Sequence, residues 1–343
     1  MKLSEFDFNL PADRIAQHPA SPRDSARLLH VGDALADCTI GDLPRLLRRG
    51  DLLVYNDTRV LKARLFGLRG TAKIEATLHK RIDARSWRAF VKGSKRLKIG
   101  DRVEFGEGFC ADVADKSDSG DVGFVFNQAG PALMAAIERF GAMPLPPYIK
   151  RLAPDQDDEN DYQTVWADKL GAVAASTAGL HFTPGLLAAL DDAGIKRQAL
   201  TLHIGAGTFL PVKSENVEDH TMHAEWGEVS GAAIAAIESA KAAGGRIVSV
   251  GTTPLRVLET VARDNGGRLV PWAGETQLYC LPGFAFRAVD MLFTNFHLPK
   301  STLFMLVSAF AGLERMKAAY AHAIARQYRF FSYGDATLLE RAR

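Results

Sequence analysis

The stretch Leu52-Leu53-Val54-Tyr55-Asn56-Asp57-Thr58-Arg59 sets the reading of the whole chain. Its apolar half, led by Gly50-Asp51, has the length and content of a buried strand. Its second half is four polar residues in a row. A sheet holds the polar groups at a strand end in fixed positions, which suits a ligand site; an Asx turn is the plainer alternative.

Beyond residue 61 the rhythm changes. Arg64–Leu68, Ile74–His79, Trp87–Lys92, Arg102–Phe105, Cys110–Ala114 and Gly123–Phe126 are short β-type runs with turn residues between them and no helical period. This pattern predicts a small antiparallel β-barrel over residues 61–128. After it, helices and strands alternate: helices over Pro131–Phe140, Pro184–Ala193, Ser230–Ala243, Pro254–Asp264, Ser301–Ala311 and Glu314–Tyr328, and strands over Ala199–Ile204, Ile247–Val250 and Val289–Phe293. The expected fold class is α/β. A three-layer domain of residues 1–60 and 129–343, built on a largely parallel sheet covered on both faces, is interrupted by the inserted barrel. Ligands then belong at the strand ends that feed polar turns.

Composition narrows the class. The chain has 343 residues, 47% hydrophobic and 24% charged, which excludes disordered, collagen-like and disulfide-scaffold proteins. Cys38, Cys110 and Cys280 are too few and too scattered for a disulfide or zinc framework. Met1–Ala20 lacks the apolar centre of a signal peptide, and Leu303–Gly312 is about half a membrane span. A cytoplasmic, monomeric protein with no membrane partner is expected. The net charge is only +2, but Arg45 to Arg102 holds 17 Lys and Arg against 5 Asp and Glu. Such a basic face is the footprint of a polyanion, unless these residues merely solvate exposed strands.

No phosphate-binding loop, H-E-x-x-H or G-x-S-x-G motif is present. Four clusters carry potential chemistry. Thr177-Ala178-Gly179-Leu180-His181-Phe182-Thr183 leads into a helix, where Thr183 also suits an N-cap. Gly251-Thr252-Thr253 follows a strand and precedes Arg256. Thr294-Asn295-Phe296-His297-Leu298-Pro299-Lys300 ends another strand, and His203-Ile204-Gly205-Ala206-Gly207-Thr208 a third. The spacing of His220, His223 and Glu225 admits a metal, but the absence of Cys ligands favours a hydrogen-bonding or acid–base role. No metal is expected.

These clusters, with Leu53–Arg64, Pro144–Ile149, Glu218–Glu225 and Tyr328–Asp335, resemble the S-adenosylmethionine:tRNA ribosyltransferase-isomerase family of queuosine biosynthesis, in order and nearly end to end. Two positions depart from that pattern: Ser176 stands where the family usually has Pro, and Pro254 where it usually has Ser. The second removes a hydroxyl. The resemblance implies the same split α/β and barrel architecture. It implies transfer and isomerisation of the ribosyl part of S-adenosylmethionine onto 7-aminomethyl-7-deazaguanine at the tRNA wobble position. The product is epoxyqueuosine, with adenine and methionine released and no cofactor beyond S-adenosylmethionine as co-substrate.

Such a reaction needs a base near the CH₂ beside the sulfonium, a proton donor for adenine, and a neutral aminomethyl nucleophile. His181, His203, His223 and His297 are the titrating candidates, with Asp57 and Glu225 as carboxylate partners; the base is placed at His181 or His203. Asn295 and Thr252 are expected to hold adenine or ribose. Gly205 and Gly207 would admit close backbone approach, and Arg59 and Lys300 would bind phosphate or the methionine carboxylate. Asn56, Thr58, Thr177, Gly179, Thr208, Thr253 and Arg256 complete the expected substrate-binding set. Tyr148 and Tyr333 are candidate stacking surfaces for bases of the anticodon stem-loop, with Phe330 and Phe331 assigned to the core. Two competing readings are an RNA methyltransferase using the same donor and a non-catalytic tRNA-binding module.

Overall fold

The central strand begins at a buried carboxylate. Asp51 accepts the backbone N–H of Arg48 (2.9 Å) and of Arg246 (2.9 Å), and its second oxygen takes the Arg246 guanidinium (2.6 Å). One side chain thereby joins the starts of two neighbouring parallel strands, Leu52–Asn56 and Ile247–Val250. The computed structural model describes residues 1–117, 120–151, 157–205, 212 and 214–342.

These strands lie inside a nine-stranded sheet with the order Trp272–Thr276, Glu225–Val229, Lys196–Leu202, Leu52–Asn56, Ile247–Val250, Met291–Asn295, Ala336–Glu340, Arg27–Val31, Leu35–Thr39. The middle four are parallel. Counting Arg27–Val31 with Ala336–Glu340, four neighbour pairings are parallel and four antiparallel. The expected largely parallel sheet is therefore a mixed one. Strand–helix alternation in the sequence marks only the crossover-connected centre; the outer strands reach their places through loops and antiparallel returns.

Alternation along Leu52–Asn56 builds the layers. Leu52 and Val54 join the core under helices Gly231–Ala242, Thr252–Asp264, Thr302–Ala311 and Leu313–Ala325. Leu53 points the other way, toward Leu186, Leu190 and Phe182. The last helix stops at Ala325, short of the expected Tyr328, where Gln327 takes a positive φ of 60°.

The six strands Arg64–Arg69, Ala72–Arg81, Ser86–Lys92, Asp121–Phe126, Phe109–Lys116 and Arg102–Gly106 form the antiparallel barrel, closed by pairing of Leu68 with Glu104. Gly67 permits that closure: a Cβ there would lie 2.7 Å from the Phe105 ring and 2.8 Å from the Glu104 carbonyl. Leu133, Ala136 and Ile137 of helix Gly130–Phe140 share the barrel's apolar core.

Asn56, Asp57 and Thr58 form the junction where the chain leaves the sheet. The Asn56 amide accepts from Leu202 N–H (2.9 Å) and donates to the Leu202 carbonyl (3.0 Å) and to Thr58 Oγ1 (2.9 Å). It thus prolongs the strand ladder with a side chain. Thr58–Val60 then pairs with Lys169–Ala172 outside the sheet. Among the described residues no helix is long and apolar enough to cross a membrane.

Candidate active site

The C-terminal ends of strands Ile247–Val250 and Met291–Asn295 open into one cavity of about 660 Å³, completed by Tyr148, Ser176, Thr177, Ile204 and Phe331. Gly251, at φ 93°, turns the chain from the first strand into helix Thr252–Asp264, which has no side-chain N-cap. Thr252 and Thr253 therefore present the first turn to the cavity rather than capping it. Pro254 is the third helical residue, where an N–H has no acceptor within the helix, so proline costs no hydrogen bond. Pro254 does not line the cavity, whereas Ser176 does.

Arg256 and Glu225 form a buried ion pair on the same wall. Nε of Arg256 donates to the Leu278 carbonyl (3.2 Å), and Glu225 also accepts the Gly205 N–H (3.0 Å). Asn295 is fixed by three contacts: its Nδ2 donates to the Phe331 carbonyl (3.2 Å) and meets His181 Nε2 (3.1 Å), and its Oδ1 accepts from Thr177 (3.0 Å). Burial pushes His181 down to about 3, with Arg329 and Arg23 adding repulsion. Burial likewise lowers His297 to about 3; its Nε2 lies 3.1 Å from Thr294 Oγ1. Both rings are neutral. Lys300 pairs with Asp7 (2.7 Å) at the cavity rim.

A second cleft of about 830 Å³ lies between the sheet domain and the barrel. It shares Ile204, Glu225 and Thr302 with the first cavity, so the two are neighbours across one wall. His203 stacks on Trp226 (5.5 Å, 26°). Burial lowers the His203 pKa, against the opposing charge of Asp57. The barrel contributes Lys80, Arg81, Trp87 and Phe90 to this cleft.

The site residues expected from the sequence thus fall into groups. Thr177, Glu225, Thr252, Thr253, Arg256, Asn295, His297 and Lys300 line the first cavity. His203, Gly205 and His223 line the second, with Glu225 common to both. His181 lies behind Asn295, and Gly179 is buried against Thr164 and Trp166. Asn56, Asp57 and Thr58 are buried in the strand junction and line neither cavity; Asp57, raised by burial, accepts from Thr201 (2.8 Å). Arg59 borders a separate groove beside Glu138. Gly207 and Thr208 lie outside the described residues. Thr183 is an N-cap, accepting from Leu186 N–H (3.1 Å).

Tyr333 is buried against Tyr162, a correction to its expected exposure; Phe330 is core as expected. Tyr148 stacks on Phe331 (4.4 Å, 20°), and both face the cavity. His220 packs on Tyr279, and among the described residues no His, Cys, Asp or Glu cluster converges to hold a metal. Two further residues, Trp226 and Gly171, belong to none of the sequence motifs yet line the second cleft. The alternation Glu225 buried, Trp226 exposed, Gly227 buried is the strand signal that marks the tryptophan.

Residues 3–339 match the model of a family described as queuosine biosynthesis protein. The chain is 56% identical over 341 residues to the S-adenosylmethionine:tRNA ribosyltransferase-isomerase of Sphingopyxis alaskensis, covering 99% of this chain and 97% of that one. The same-named protein of Parvibaculum lavamentivorans is 56% identical, with 99% of each chain covered. The crystal structure of S-adenosylmethionine tRNA ribosyltransferase from Thermotoga maritima is similar at a TM-score of 0.56 and 33% identity, covering 98% of this chain and 99% of that one. Matched by the family model over residues 3–339 and by relatives 56% identical along nearly the whole of both chains, the chain belongs to the queuosine biosynthesis protein family.

Proposed function

We propose that this enzyme transfers and isomerises the ribosyl moiety of S-adenosylmethionine onto a 7-aminomethyl-7-deazaguanine at the tRNA wobble position, releasing adenine and methionine. The observation that carries the assignment of sites is the wall shared by the two cavities. A two-substrate transfer needs its reactants in contact and water held away. The donor occupies the first cavity, with its adenine toward Asn295 and Thr177. The extruded base enters the second, against the exposed face of Trp226, and Lys80 and Arg81 meet RNA phosphates.

His203 lines the second cavity next to Ile204, a residue of the shared wall, and takes the proton from the carbon beside sulfur where the donor meets that wall. Its lowered pKa keeps the ring neutral and able to accept at neutral pH. His181 acts through Asn295, since it lines neither cavity. No group other than S-adenosylmethionine is required. The reading includes a catalytic domain of residues 1–60 and 129–343, an inserted barrel of residues 61–128, and a monomer working in the cytoplasm.

The test is incubation with S-adenosylmethionine and tRNA bearing the precursor base. Free adenine and epoxyqueuosine are expected by mass spectrometry. S-adenosylhomocysteine instead would make the protein a methyltransferase, and tRNA binding without turnover would make it a binding module.

A further inference from the structure

Helix Thr252–Asp264 opens into the first cavity without a capping side chain. The N–H groups of its first turn have no acceptor within the helix, and the helix dipole places partial positive charge there. One turn further on, Arg256 is only 4% exposed. Its Nη1 is taken by Glu225 and its Nε by the Leu278 carbonyl, but Nη2 is buried with no hydrogen-bond partner among the described residues. An unmet donor on a buried cation is costly, and a charged acceptor repays that cost best. Glu225 cancels the formal charge of Arg256, yet the helix end and Nη2 still favour an anion. The two cations expected to serve such a group are placed otherwise: Lys300 is half-exposed and paired with Asp7, and Arg59 borders a different groove.

We infer that Arg256 Nη2 and the open end of helix Thr252–Asp264 seat the carboxylate at the methionyl end of the donor. This rests on the reading of the first cavity as the S-adenosylmethionine site. It also orients the donor: the carboxylate lies toward the Arg256 wall, and the nucleoside extends toward Asn295.

The experiment is calorimetric titration of the full-length enzyme with S-adenosylmethionine and with its decarboxylated analogue. The wild type binds the carboxylated donor about 10- to 100-fold more tightly, the range for one charge-assisted hydrogen bond. Arg256→Gln with Glu225→Gln, which leaves no buried unpaired charge, brings that ratio close to one while binding of the analogue is kept. Arg256→Gln alone serves as a second variant, and circular dichroism checks that each is folded. Lys300→Gln retains the wild-type ratio. The inference is overturned if the double variant still discriminates, if the ratio is lost in Lys300→Gln instead, or if the wild type binds both compounds equally. Failure of the wild type to bind S-adenosylmethionine at all would remove the underlying reading as well, and so is distinguishable from the other outcomes.

Discussion

Asn295 and His181 hold each other in one orientation. The Phe331 carbonyl can only accept, so the Asn295 atom beside it is Nδ2, and the same Nδ2 faces His181 Nε2 at 3.1 Å. His181 Nε2 must then be an acceptor, with the ring proton on Nδ1. A protonated ring would set donor against donor. The amide left facing the cavity is thereby locked by a residue that never reaches it.

His181→Ala should therefore loosen Asn295 rather than remove a reacting group. The expected result is a KM for S-adenosylmethionine raised about tenfold, the scale of one lost hydrogen bond, with tRNA affinity unchanged. His181→Gln, which keeps an acceptor, should recover part of the loss. Steady-state kinetics with both substrates varied gives the answer, and an unchanged KM with a collapsed kcat would return His181 to the role of base.

Stability should fall on the acid side of neutrality. His181 and His297 both have folded values of about 3 against an ordinary 6.5. Between those limits the unfolded chain binds more protons than the folded one. The stability they provide is thus complete above pH 6.5 and is lost as pH falls. Each contributes a loss of about 2 kcal/mol by pH 5. Urea unfolding at pH 7 and pH 5 should show this loss, reduced by one share in His297→Gln. An identical pH dependence in that variant would refute the assignment.

Gly171 tests the placement of the base. A Cβ at this position would lie 2.6 Å from His203 Nδ1, and its φ is 140°. Gly171→Ala should displace the imidazole and cost about 1–2 kcal/mol in backbone strain. Adenine release should fall as it does in His203→Ala, by about 10²–10⁴-fold, while tRNA binding persists. Near-normal turnover in both variants would remove His203 from the reaction.

The barrel side of the second cleft should carry salt-dependent binding. Lys80 and Arg81 line this cleft, and Arg81 Nε donates to the Asp83 carbonyl (2.9 Å) rather than to a carboxylate. Affinity for tRNA should fall linearly with salt on logarithmic axes. Lys80→Gln with Arg81→Gln should lower that slope by about 0.7–0.9 for each phosphate that is no longer neutralised. Fluorescence anisotropy at several salt concentrations measures it; an unaltered slope would move the RNA path elsewhere.

The sequence alone was enough for the barrel, the crossover-connected strands and most helices, because their periodicity is local: alternation of Ile74, Ala76 and Leu78 needs no partner to be read. It also carried the motifs at the strand ends, and the family resemblance. Only the tertiary structure could show that Asn56, Asp57 and Thr58 serve the strand junction, since Leu202 and Thr201 are their partners from more than 140 residues away. The same holds for the neighbouring cavities around Glu225 and for the unmet Nη2 of Arg256. Those follow from long-range packing, which decides whether a polar side chain spends its hydrogen bonds on the fold or keeps them for a ligand.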